Sequence, residues 1–93
     1  MVILGIDPGI AIVGWGVVDF TGNKFKTIAC GAITTPAHTP LTRRLRSIYD
    51  DLSMLIDQYK PEAVAVEELF FNTNVKTAIT VAHARGIVLL CAA

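Results

Sequence analysis

Met1-Val2-Ile3-Leu4-Gly5-Ile6-Asp7-Pro8-Gly9 opens the chain. Residues 2–7 are an apolar run closed by a carboxylate, and the run ends in a turn where proline fixes φ and glycine can supply φ > 0. That pattern suits a buried strand. The same stretch has no basic start and places Asp7 inside what would be the apolar core of a signal peptide, so the chain reads as cytoplasmic. Its 93 residues are 53% hydrophobic and 17% charged, with eight basic side chains against eight acidic ones. Such a composition excludes intrinsic disorder and fits one domain or a large piece of one. No window approaches the roughly 18 apolar residues that span a bilayer, so no membrane partner is expected. Zero formal charge also removes the simple argument for nucleic acid, since phosphate binding usually leaves a basic excess.

Downstream of the first strand, Ile12 to Phe20 is rich in Val, Ile, Trp and Phe with Gly14 and Gly16 interleaved. Thr21-Gly22-Asn23-Lys24 supplies turn chemistry before a second β-rich run from Phe25 to Ile33, which predicts a hairpin. Thr39-Pro40 reads as an N-cap followed by proline at the first helical position. Leu41, Leu45, Ile48, Leu52, Leu55, Ile56 and Tyr59 then recur at helical spacing until Lys60-Pro61. Ala63 to Val66 is a short apolar strand ending in Glu67-Glu68. Thr73 to Ala93 reads as a second helix, apolar nearly all round and therefore expected to be buried, with Val75, Ala78, Ile79, Ala82 and Leu89 in one stripe. The absence of a glycine cap or basic last turn after Cys91-Ala92-Ala93 suggests a domain truncated at the C-terminus.

The order strand, hairpin, helix, strand, helix puts Asp7 and Glu67 at the ends of two strands, 60 residues apart in sequence. If these strands are parallel neighbours, both acids reach the sheet edge where open α/β folds hold ligands. Two carboxylates there can hold Mg²⁺ or Mn²⁺, hard ions that prefer oxygen. Taken singly, Asp7 is better explained by capping the Pro8-Gly9 turn and Glu67 by a solvated strand end; together at equivalent strand ends they point to a site. Glu68 should face the opposite side from Glu67. Cys30 and Cys91 lack metal-ligand spacing and read as buried, reduced thiols. Arg43, Arg44 and Arg46 read as a solvated helix face with Asp50 and Asp57 as helical neighbours. His83 reads as a partly buried spacer, Trp15 as core, and Gly86 as a point where another element approaches closely.

Four blocks together resemble the RuvC-type Holliday-junction resolvases of the ribonuclease-H-like superfamily: Leu4-Gly5-Ile6-Asp7-Pro8-Gly9, Gly14-Trp15-Gly16, Ala65-Val66-Glu67-Glu68-Leu69-Phe70 and Ala84-Arg85-Gly86. The resemblance runs the length of the chain. It implies an α/β, ribonuclease-H-like mixed sheet, here one incomplete domain over residues 1–93. It also implies a metal-dependent endonuclease that cuts four-way DNA junctions in recombination and repair, with Asp7 and Glu67 as catalytic metal ligands for Mg²⁺, for which Mn²⁺ can substitute. Further acids would come from a C-terminal helix that these residues do not include, so the fragment alone should be inactive. Phe70 matches a loop aromatic that stacks on an unpaired base, although packing under the loop explains it equally well. Arg85 would meet phosphate or an acid of a second subunit. Implied partners are junction DNA, a second copy in a homodimer, and a branch-migration motor complex. Ile10 and Val13 stand where the family commonly has hydroxyl residues, and Ala82-His83 where it has Gly-Gln.

Two other functions fit parts of the pattern. An actin-like or sugar-kinase-like half domain would use Asp7-Pro8-Gly9 and Gly14 around ATP phosphates, and a non-catalytic association module would use the apolar last helix as a dimer interface. Metal binding that needs both Asp7 and Glu67 separates the nuclease from either.

Overall fold

A computed structural model describes residues 1–67 and 75–93. Its elements are β1 (Val2–Asp7), β2 (Ile12–Thr21), β3 (Lys24–Thr34), α1 (Leu41–Tyr59), β4 (Ala63–Val66) and α2 (Val75–Ala92). The strands form one sheet in the order β3-β2-β1-β4. β1 and β2 are antiparallel, as are β2 and β3, while β4 lies parallel to β1 with Ile3 opposite Ala63 and Ile6 opposite Val66. A parallel neighbour needs a crossover, and α1 supplies it.

Strand alternation sorts the side chains onto two faces. Leu4, Ile6, Val13, Val17 and Ile33 are buried on the face that α1 covers, where they meet Ile48 and Leu52. Trp15 is half-buried at the margin of this core: its ring lies 6.1 Å from that of Tyr59, and a Cβ added at Gly31 would lie 2.9 Å from it. Where β2 pairs with β3, Val17 faces Ala29 but Val18 faces Thr27, so Ile28 is an extra residue on the outer strand. A bulge of this kind locally breaks the ladder and bends an edge strand.

α1 departs from expectation at its start. Pro40, not Thr39, is the N-cap, with ψ 140 and no side-chain cap. Its extended ψ keeps it out of the first turn, and its carbonyl accepts the N–H groups of Arg43 and Arg44 at 3.0 and 3.1 Å. The far end is as expected: Lys60 takes the left-handed conformation at φ 47 and donates its N–H to Ile56. Such a cap satisfies one terminal carbonyl and turns the chain toward β4.

Three further expectations are corrected. Cys30 is exposed and Cys91 half-buried; both are free thiols, and Cys30 pairs with Gly16 on an edge strand whose face no helix covers. α2 is not buried all round. Ala84 and Val88 are fully enclosed, with Ile87 and Cys91 packed beside them, whereas Ile79, Leu89 and Leu90 are exposed. The stripe that packs on α1 therefore runs Ala84, Ile87, Val88, Cys91, and Gly86 lies off it with nothing within 4 Å of an added Cβ. Arg44, finally, is not a solvated member of the basic cluster. It is half-buried and donates to Thr35, through Nε to the hydroxyl at 2.9 Å and through Nη2 to the carbonyl at 3.3 Å. Arg46 does pair with Asp50 along the helix, at 3.0 Å.

This packing predicts a contrast two residues apart on α1. Leu52 is fully buried and Met54 is 68% exposed. Leu52→Ala should cost about 2–5 kcal/mol, by lost transfer energy and a cavity, while Met54→Ala should stay within about 0.5 kcal/mol. Urea unfolding of the two variants beside the parent checks this.

Candidate metal and nucleic-acid site

Asp7 closes β1, and Glu67 directly follows β4. Since Ile6 faces Val66 in parallel register, the two acids leave the sheet at the same end. The N–H of Glu67 donates to the carbonyl of Ile6 at 3.0 Å, continuing the ladder one step past the strand and fixing the backbone beneath the carboxylate. Strand alternation puts both side chains on the face opposite α1, close enough for the Asp7 carboxyl to act on that of Glu67. The neighbouring Asp7 pushes Glu67 above a glutamate's ordinary pKa, first as an acceptor that favours its protonated form, then through the like charge, and modest desolvation adds to this.

The ground around the pair is almost free of side chains. Gly5 faces Gly16 and Asp7 faces Gly14 across β1 and β2, and Ala65 lies beside Gly5 on β4. These residues floor an open depression of about 500 Å³ bounded at one end by Asp7 and Glu67. A Cβ at Gly16 would meet nothing within 4 Å, and one at Gly14 would come 3.6 Å from Cβ of Asp7. The glycines thus leave space rather than fill a tight contact. A bulky ligand can approach the backbone here.

The residues present suit a divalent cation. Two neighbouring carboxylates are a charge arrangement that a cation relieves, and both offer the hard oxygens preferred by Mg²⁺ and Mn²⁺. Among the described residues no group of three or more His, Cys, Asp or Glu forms a metal cluster. Arg85 reaches the same end of the sheet from α2: its Nε lies 3.4 Å from the carbonyl of Glu67. Phe70 and Glu68 lie outside the described residues. The network of Arg44 and Thr35 beside the Asp7 turn escaped sequence reasoning altogether.

An α/β domain of ribonuclease-H-like architecture, with an acidic pair where two parallel strands end on an open face, is the class that this fold and site define. The chain belongs to the RuvC family: the family model described as crossover junction endodeoxyribonuclease RuvC matches residues 3–93. The RuvC proteins of Alkaliphilus oremlandii and Clostridioides difficile are 56% and 55% identical to it over all 93 residues, which cover 57% and 55% of those proteins. The chain thus spans somewhat more than half the length of these relatives. Among solved structures, Thermus thermophilus RuvC in complex with a Holliday junction substrate matches 99% of the chain with a TM-score of 0.91 at 36% identity, the chain covering 59% of that protein. Thermus thermophilus RuvC in a second structure gives 0.88 at 37%, with 57% covered. An Aquifex aeolicus Ppx/GppA protein shares the fold alone, at 17% identity and a TM-score of 0.60.

The pair makes a pH prediction. Because the folded chain holds the Glu67 proton more tightly than the unfolded one, this contact contributes stability that is complete below glutamate's unfolded pKa and is lost as pH rises through the higher folded value. Carboxyl-carbon NMR should give Glu67 a midpoint above a glutamate's ordinary value. Asp7→Asn, which removes the neighbouring charge, should bring that midpoint down.

Proposed function

We propose that this chain carries half of the catalytic centre of a metal-dependent, structure-specific DNA endonuclease that resolves four-way junctions by phosphodiester hydrolysis. The observation that carries the reading is the convergence of Asp7 and Glu67 at the ends of adjacent parallel strands, near enough for Asp7 to raise the pKa of Glu67. The name of its relatives and the junction bound by the Thermus thermophilus protein point to the same substrate.

In this reading Asp7 and Glu67 bind Mg²⁺, with Mn²⁺ as substitute. Divalent ions at such a site supply an activated water and stabilise the leaving oxygen of the phosphodiester. The chain's own residues prepare the place. A cation held between the two acids would favour their ionised forms, so metal binding would be coupled to pH. The glycine floor lets a DNA backbone settle against the sheet next to the carboxylates. Arg85 holds the Glu67 carbonyl through Nε, and its remaining guanidinium nitrogens are donors for a phosphate oxygen. Phe70 stacks on an unpaired base, an interaction worth about 1–3 kcal/mol per base.

Residues 1–93 form one incomplete domain, and two carboxylates underfill a two-ion centre, so the remaining acidic ligands come from elsewhere in the complete protein. The exposed Ile79, Leu89 and Leu90 on α2 give a second copy an apolar face to cover, consistent with a homodimer that matches the symmetry of a four-way junction. A branch-migration motor would be a partner of that dimer on DNA, in the cytoplasm. None of the described helices is long and apolar enough to cross a membrane.

The test is cleavage of a synthetic four-way junction by the full-length protein in Mg²⁺. Asp7→Asn and Glu67→Gln should each reduce the rate by more than about 100-fold with junction binding retained, a larger loss than outer-shell changes typically produce. Cleavage that survives both substitutions would overturn the assignment. The 93-residue chain by itself should cut nothing.

A further inference from the structure

We propose that Thr35 and Arg44 are positioning residues for Asp7: together they clamp the turn that follows it and thereby set where its carboxylate sits. The inference rests on the reading of Asp7 as a metal ligand.

Asp7 is held on its N-terminal side by strand pairing, since β1 lies between β2 and β4. Beyond it only Pro8, Gly9, Ile10 and Ala11 intervene before β2 begins at Ile12. This short connection is closed tightly, because a Cβ at Gly9 would fall 2.1 Å from the carbonyl oxygen of Ile12. A turn so compact transmits a shift of its second half directly into its first residue. Its second half is tied to a single residue, Thr35, which lies 24 positions downstream of Ala11, just past the end of β3. The Thr35 hydroxyl donates to the carbonyl of Ile10, and the Thr35 N–H donates to the carbonyl of Ala11 at 3.0 Å.

Thr35 in turn is fixed by α1. It is the buried polar residue of the described core, 5% exposed, and Arg44 donates to both its hydroxyl and its carbonyl. A hydroxyl has one proton to give. Arg44 is always charged and can only donate, so its Nε occupies an acceptor site on the oxygen and the hydroxyl proton is left to point at Ile10. Hydrogen bonds linked in this way polarise and strengthen one another. The result is a continuous path from the rigid helix through Arg44 and Thr35 to the Ile10–Ala11 backbone and Asp7. Metal ligands need placement within about 0.5 Å, and partners that orient them typically affect metal affinity by 10–100-fold.

The experiment is Mn²⁺ titration of the full-length protein, followed by electron paramagnetic resonance, on Thr35→Val, Arg44→Ala, Arg44→Lys and the Thr35→Val/Arg44→Ala double variant, with Asp7→Asn as control. Affinities are compared at a temperature where each variant is fully folded. Thr35→Val keeps the branched shape and the backbone bond to Ala11, so it removes the hydroxyl link alone. We expect it and Arg44→Ala each to weaken Mn²⁺ binding by about tenfold. The double variant should lose no more than the worse single one, since both break the same path. Arg44→Lys should recover part of the loss by restoring one donor. A purely structural role would lower the melting temperature and leave the affinity of the folded protein unchanged. If Thr35→Val binds Mn²⁺ within twofold of the parent while Asp7→Asn abolishes binding, the clamp is wrong and the metal site stands. If Asp7→Asn itself binds as the parent does, the site assignment fails and the clamp falls with it.

Discussion

Two like charges held in contact need a reason, and in this chain the backbone supplies it. Parallel pairing of β1 with β4 puts Ile6 opposite Val66, and the Glu67 N–H then bonds to the Ile6 carbonyl, so the backbone beneath the two acids is held together. Everything else in the fold serves this register. α1 is the crossover that lets two strands distant in sequence lie parallel. The core of Leu4, Ile6, Ile48 and Leu52 holds that helix on one face and leaves the other to the acids. Glycines at 5, 14 and 16 keep the acid-bearing face low, so the repulsion stored in the pair is presented to whatever cation or DNA backbone comes to it.

Much of this was legible in the sequence, for identifiable reasons. An apolar run closed by Asp7-Pro8-Gly9 has few alternatives to a strand followed by a turn, and the hairpin and α1 carry strong period-two and helical patterns. The adjacency of Asp7 and Glu67 was legible as a condition: if their two strands lie side by side and parallel, both acids reach one sheet edge, and the pairing of β1 with β4 meets that condition. What stayed hidden lacked contrast or depended on distant partners. α2 is apolar at so many positions that periodicity cannot say which side faces α1, and the stripe drawn through Ile79 and Leu89 turned out to be the exposed one. Cys30 reads as buried by its neighbours, yet it sits on an edge strand beside a bulge. Arg44 belongs by pattern to a polar helix face. Its partner Thr35 lies nine residues earlier in a loop, a contact that no local spacing rule encodes.

The division of labour along the chain also bears on its family. The described residues supply the sheet edge, two acids, an open floor and an arginine at the rim, over a length that covers about 57% of the RuvC relatives. A centre assembled from separate parts of a chain must be aligned by the scaffold rather than by one local motif. In this chain the turn after Asp7 is tied to α1 through Thr35 and Arg44, and Arg85 of α2 touches the backbone of Glu67. The helices here do more than cover a core, since each also reaches the end of the sheet where the acids lie.

The most direct test of the central claim is a crystal structure of the full-length protein grown with Mn²⁺ and measured for its anomalous scattering. The account predicts an anomalous peak bonded to carboxylate oxygens of both Asp7 and Glu67, at a distance near the roughly 2.0–2.1 Å at which Mg²⁺ binds oxygen. A peak located elsewhere, or no peak at either carboxylate at saturating Mn²⁺, would contradict it.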